Sequence, residues 1–323
     1  MQRLVICGAS ALEYWRCTRG AMGPREDGEL PSRASRRAGD VAYLGALDVM
    51  EGLGLSAPLD VLVTEKGMRR TSSAAHYHVC KALPGEEDLE QLDSDVYVCK
   101  PGPALSQVSL TTGLVELDLL VLEFMGTYVL SLGDERGFVS TKEPLLEKDE
   151  LLECLLRRKA QGSYGVGKTI QALEHAAPLS NSPMESKLHA FFSLPRRAGG
   201  LDLRGIELNS TVQLSGEARA IVGRSSIRPD FLIPEANMAG EYKSKQFHPE
   251  GTWTGDDRRI DALEAMGLHA FTLNNERVRS LKEMTAIGST IARRLRMRKQ
   301  PPSEAELAER RKLHAQLFLA APS

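Results

Sequence analysis

The chain has 323 residues, enough for two domains and a sizeable core. Hydrophobic residues at 42% and charged residues at 26% are ordinary globular proportions, and no apolar run reaches the roughly 18 residues of a membrane span, so disordered and membrane-spanning classes are excluded. The net charge of −2 conceals an asymmetry, because residues 1–150 hold 15 basic against 24 acidic side chains and residues 151–323 hold 26 against 19.

A basic second half suits a polyanionic partner, although surplus charge is also what a solvated surface carries. The first residues, "MQRLVICGAS", have one arginine and too short an apolar run for a signal peptide, so the expected location is cytoplasmic. Cys7, Cys17, Cys80, Cys99 and Cys154 are odd in number and never form a Cys-x-x-Cys pair, which fits free thiols in a reducing compartment.

In chain order, "LVICGASALEYWR" predicts a short strand or turn entering a helix, followed by a loop-rich stretch. Strands are predicted at "LDVLVT", "HYHVC" and "VYVCK", and "GLVELDLLVLEFMGTYVL" reads as one buried helix. His76, His78 and Cys80 alternate along the second of these strands, with Cys99 on another; zinc there lacks the tight ligand pairs of structural sites, and no site is assigned.

From about residue 142 the composition becomes charged and predicts a helical connector. Within it, "QGSYGVGKTI" fits the phosphate-loop pattern through Gly162, Gly167, Lys168 and Thr169, but such a loop must leave a buried strand. "LLECLLRRKA" before it is helical in spacing, so the glycines read as a bend between helices. The domain expectation is an α/β module at 1–145, a connector at 146–178, a second domain at 179–300 and a helical tail at 301–323.

After the connector, "SPMES" opens a helix with a capping-box pattern. "NSTVQLSGEARAIVGRSSIRPDFLIPEANMAGEYKSKQFH" predicts successive strands with turns at "SGEA" and "PEANMAG". "DDRRIDALEAMG" follows as a helix capped by Asp256 or Asp257, then a strand at "LHAFTLN" and a long helix from about Glu276 to Arg298. That helix carries a basic run, Arg293, Arg294, Arg296, Arg298 and Lys299, suited either to a nucleic-acid backbone or to a solvated helix end.

The chemistry is expected in "RPDFLIPEANMAGEYKS". An antiparallel hairpin brings Asp230 to Glu241, and period-2 alternation turns Glu241 and Lys243 to one side. Two neighbouring carboxylates call for a cation, and hard oxygen ligands suit Mg2+ or Mn2+, while the ammonium can hold an attacking water or neutralise phosphate charge.

This constellation, Pro229-Asp230 followed by Glu241-x-Lys243, resembles the active site of the PD-(D/E)XK nuclease superfamily. Over residues 180–280 the resemblance is closest to the branch containing the very-short-patch mismatch repair endonuclease: "SPMES" with Glu185, Arg228-Pro229-Asp230, "EYKSKQFH" with His248, and a helix bearing Asp256, Arg259, Leu263 and Gly267. Lys243 and Ser244 stand where that branch often has aspartate and glycine, and Lys243 restores the lysine of the wider superfamily. Upstream, "GASALEYWR" and "VYVCKPGPALSQVS" to "EFMGTYVL" resemble bacterial abortive-infection and toxin-antitoxin proteins.

The resemblance implies an α/β chain whose C-terminal domain is restriction-endonuclease-like, a mixed sheet flanked by helices. It implies catalytic Glu185, Asp230, Glu241 and Lys243, metal ligands Asp230 and Glu241, and DNA contacts at Lys245 and His248, with no membrane partner. The function so implied is metal-dependent DNA hydrolysis; the alternative is a nuclease fold without turnover that binds nucleic acid or regulates a defence system.

Overall fold

The computed structural model describes residues 4–19, 52–64, 66–68, 73–80, 84–93, 95–131, 133–243, 253–298 and 300–319, with nothing described of the side chains of 253–257. Sheets flanked by helices make it a mixed α/β protein, in two compact units, Met1–Glu174 and His175–Ser323. No described helix is long and apolar enough to cross a membrane.

In the first unit, β1 (Leu4–Ile6), β2 (Leu59–Val63), β3 (Ala75–Val79), β4 (Leu89–Asp93) and β5 (Val96–Cys99) form a sheet in the order β3-β2-β1-β5-β4. β1 is parallel to β5 and antiparallel to β2. The chain leaves β1 at Gly8, whose φ of 55° suits glycine, and enters α1 (Gly8–Arg19). Asp60 accepts the N–H groups of Ala9 (3.1 Å) and Ser10 (3.4 Å), satisfying orphan donors of that helix start.

The strand β5 leads in the same way into α2 (Pro101–Val108), followed by α3 (Leu114–Phe124). The expected single helix over 113–130 stops there: Gly126 and Thr127 turn the chain into β6 (Tyr128–Leu130), which pairs with β7 (Phe138–Ser140). Buried Glu123 holds Arg16 through two bonds of 2.6 and 2.8 Å, tying α3 to α1. Helix α4 (Lys148–Ala160) anchors through Arg158, whose Nη1 lies 2.7 Å from the equally buried Asp88 Oδ2.

The glycine segment is indeed a bend between helices, from α4 to α5 (Val166–His175). Lys168 Nζ donates to the carbonyls of Ser109 (3.0 Å) and Thr112, and Thr169 is fully buried, so neither residue faces a ligand. A Cβ on Gly165 would fall 2.0 Å from the Ser106 carbonyl oxygen, which explains a glycine there without any phosphate.

The second unit opens on α6 (Pro183–Ser193) and holds a four-stranded sheet of β8 (Glu207–Leu208), β11 (Phe231–Ile233), β12 (Met238–Lys243) and β13 (His269–Asn274), ordered β13-β12-β11-β8. A separate two-stranded ladder pairs β9 (Val212–Gln213) with β10 (Ser226–Ile227). β8, β11 and β12 are antiparallel in sequence, whereas β12 and β13 are parallel. The parallel pair is joined through α8 (Trp253–Ala265), as a parallel connection requires a crossover.

Between β9 and β10 the segment expected to continue as strand is instead α7 (Gly216–Val222), because Ser215 accepts the Ala218 N–H as N-cap and Gly223, at φ 68°, closes it. α7 and α8 cover one sheet face, where Leu214, Ala218, Ile227, Ala239, Ala262 and Leu263 pack. On β12, Gly240 is opposed by Phe271, whose ring would lie 2.3 Å from an added Cβ. Gly240→Val is therefore expected to destabilise the second unit by about 1–3 kcal/mol in urea denaturation, and an unchanged midpoint would contradict that packing.

The expected helix from Glu276 to Arg298 is broken at Ser280 into α9 (Asn275–Arg279) and α10 (Leu281–Arg294), Ser280 capping the latter through the Glu283 N–H. Helix α10 ends with Met297 N–H bonded to Ala292 O (3.0 Å) and Arg296 N–H to Arg293 O (3.1 Å), which places Arg296 at the left-handed position after the helix with φ 52°. That position favours glycine, and an arginine there costs about 1 kcal/mol. The tail forms α11 (Glu304–Phe318), opened by the Ser303–Glu306 capping box.

Candidate functional site

The hairpin expected from the sequence exists. Register pairs Ile233 with Met238, Leu232 with Ala239 and Phe231 with Gly240, so the next pair outward is Asp230 with Glu241. Pro234 starts a 3-10 turn over Pro234–Ala236, and Asn237 at φ 49° closes it, its N–H bonded to Pro234 O at 3.0 Å. Turn chemistry thus fixes the register that sets the two acidic residues opposite each other.

Asp230 Oδ2 accepts the Tyr242 N–H at 2.7 Å, which fixes the carboxylate against β12. Glu241 and Lys243 share the opposite side of β12 from Tyr242, whose hydroxyl bonds Asn275 Oδ1. Both Glu241 and Lys243 are half-buried at the strand end, neither sealed in the core nor fully in solvent.

Arg259 is the partner the sequence pattern did not assign. It sits one turn before Leu263 on α8, the helix whose apolar residues cover Ala239, so its side chain reaches the face that Glu241 shares with Ala239. Its Nη2 lies 2.7 Å from Glu241 Oε1 and 2.7 Å from the Arg228 carbonyl oxygen, and its Nε lies 3.2 Å from Glu241 Oε1. The acidic strand end already draws a cation, supplied by the chain itself.

Glu185 is 7% exposed and engaged as a cap. Its Oε2 accepts the Asn181 N–H (2.8 Å) and Asn209 Nδ2 (2.6 Å), its Oε1 accepts the Ser182 hydroxyl (2.8 Å), and its own N–H donates to Ser182 Oγ (3.3 Å). Burial raises its carboxyl above the ordinary range, the hydrogen bonds from Asn181, Asn209 and Ser182 pull it back, and the charge of Glu241 raises it further. Glu185 and Glu241 therefore share a neighbourhood.

Asn209 links these parts. At φ 50°, a left-handed conformation that asparagine tolerates, it donates Nδ2 to Glu185 and to Leu179 O (2.9 Å) and its backbone N–H to Asp230 O (3.2 Å). No sequence motif marks it; its only signal is an asparagine in a turn, a type that bends chain by bonding locally.

Lys245 and His248 lie outside the described residues. Asp256 and Asp257 occupy the fourth and fifth positions of α8 rather than its cap, because the helix already starts at Trp253.

The histidines considered for zinc flank Asp60, with His78 Nε2 at 2.7 Å and His76 Nδ1 at 3.8 Å from Oδ1. Cys99 is fully buried, and that burial pushes its thiol up to about 12. Among the described residues no three His, Cys, Asp or Glu side chains group as a metal cage. A two-carboxylate donor set remains at Asp230 and Glu241, and magnesium takes one or two protein carboxylates and fills its other positions with water and phosphate oxygens. The chemistry of the donor set fits that ion, as does the cation already drawn to Glu241.

No protein-family model, curated protein or solved structure matches this chain.

Proposed function

We propose that the second unit is a restriction-endonuclease-like domain that hydrolyses phosphodiester bonds of DNA with Mg2+ or Mn2+. The observation that carries this reading is the hairpin register, which sets Asp230 beside Glu241 with Lys243 two residues further along the same face. The order of parts agrees with the resemblance: the Glu185 helix, the Asp230 strand, the Glu241-x-Lys243 strand, the Arg259 helix and the apolar return strand.

In this reading Asp230 and Glu241 hold the ion, which when bound polarises the phosphodiester and acidifies water. Lys243 orients the attacking water and offsets charge that develops on the phosphate oxygens. Asn209 and Glu185 brace the Asp230 strand from behind. Arg259 neutralises Glu241 until a divalent ion takes its place, and its guanidinium fork is then suited to a phosphate oxygen pair.

The second reading, a nuclease fold that binds nucleic acid without turnover, draws its support from the same Arg259–Glu241 pair, which satisfies Glu241 without any metal. Calorimetric titration of Mn2+ separates the two. The nuclease reading expects binding by the parent, none by Asp230→Ala, and tighter binding by Arg259→Met; absence of heat in all three favours the second. Arg259→Met is also expected to lower stability by about 2 kcal/mol without metal, because it strips a half-buried carboxylate of its charged donor.

A further inference from the structure

The basic run at the end of α10 meets the β11–β12 turn across an open cleft of about 430 Å³, lined by Glu235, Ala236, Asn237, Arg294, Leu295 and Arg296. Arg294 lies in the last helical turn, where a cation complements the helix dipole whatever its other role. Arg296 has no such explanation: it occupies the left-handed position at φ 52° that glycine would fill without strain. A residue that costs stability where it stands points to a function for its side chain.

From the cleft and this strained arginine we infer that Arg294, Arg296 and Asn237 form a subsite for a backbone phosphate of nucleic acid. Two planar guanidinium forks match phosphate oxygens, and the Asn237 amide adds a neutral donor. Glu235 on the same wall offsets one of the two positive charges, leaving the single positive charge that a phosphodiester monoanion matches. The occupant is a polymer rather than free phosphate, because Arg293 and Arg298 extend the positive surface beyond the cleft.

The subsite rests on the nucleic-acid reading of the hairpin but lies at its other end. Three residue pairs lie between the Pro234–Asn237 turn and Asp230 and Glu241, four residue steps or about 13 Å of strand, which is roughly four nucleotide steps along a duplex axis.

The test is fluorescence anisotropy with labelled single-stranded and duplex oligonucleotides, in chelator and over a range of salt, for the parent, Arg296→Gly, Arg294→Gln and Arg311→Gln, an exposed control on α11. Arg296→Gly and Arg294→Gln are each expected to weaken binding about three- to tenfold and to reduce the salt slope by about one, while Arg311→Gln stays within about twofold. Arg296→Gly should also raise the thermal midpoint, so that weaker binding by a more stable protein reports a lost contact.

Unchanged affinity in Arg296→Gly overturns the subsite, as does an equal loss in Arg311→Gln. A parent that binds inorganic phosphate in competition assays but neither oligonucleotide overturns the polymeric occupant. Cleavage plays no part in the measurement, so an arginine-dependent affinity supports the subsite even where DNA is not cut, and the active-site reading is decided separately by metal titration and cleavage assays on Asp230→Ala.

Discussion

Asp230→Ala is expected to lower metal-dependent cleavage of plasmid DNA about a thousandfold, and Lys243→Ala about a hundredfold. A metal ion contributes several kcal/mol of charge stabilisation, and each 1.36 kcal/mol is tenfold in rate, so loss of one of only two carboxylate ligands removes about three orders. The lysine supplies a single donor towards developing charge, and deletion of one such donor costs roughly 10² to 10³. Glu185→Gln should behave differently. It keeps the volume but loses the charge that Asn181, Asn209 and Ser182 bond, so its main effect is on stability, with cleavage reduced only as the Asp230 strand loosens. Plasmid nicking with Mg2+, Mn2+ and chelator reads all four proteins, and equal activity in the parent and Asp230→Ala would remove the active site from this hairpin.

The hairpin was legible because its signals agree: Pro234 and Asn237 mark the turn, and apolar residues flank it on both sides. Strand β13 and helix α11 were legible for the same reason. The segment 216–222 was not, since Glu217 and Arg219 alternate with Ala218 and Ala220 ahead of the β-branched pair Ile221-Val222 and mimic a strand; the decisive marks were Ser215 and Gly223 at its ends. The stretch from 113 to 130 is mostly apolar, and its acidic residues Glu116, Asp118 and Glu123 all precede the break, so periodicity cannot find where helix gives way to strand at Gly126 and Thr127. β4 is too polar to stand out, being paired among the described strands with β5 alone. At the hairpin, Asp230 immediately before β11 and Glu241 and Lys243 on β12 take the register that spacing alone predicts. Arg259 as the Glu241 partner and Asn209 as the brace could not be read that way, because each depends on how elements far apart in sequence pack.

Asp118→Asn is expected to abolish a steep loss of stability with rising pH in the first unit. Asp118 is wholly buried on α3, and among the described residues neither of its carboxylate oxygens has a hydrogen-bond partner. Burial pushes its carboxyl up to about 8 from an ordinary 3.8, with Lys148 pulling it back only in part. Between those values the folded chain retains a proton that the unfolded chain has released, so stability falls as pH rises through the window and levels off above about 8. The slope is about 1.4 kcal/mol per pH unit, hence a loss of roughly 3 kcal/mol from pH 5.5 to 7.5 relative to the asparagine variant, whose side chain stays neutral throughout. Trp15 reports on this unit, its indole bonded to the Cys99 carbonyl at 2.9 Å, and Trp253→Phe leaves it as the chain's one tryptophan. Urea unfolding followed by Trp15 fluorescence at pH 4, 5.5 and 7.5 should give midpoints that converge at the lowest pH and separate as it rises. Parallel midpoints would mean that Asp118 ionises in the folded chain with a partner and a solvation that this packing does not offer.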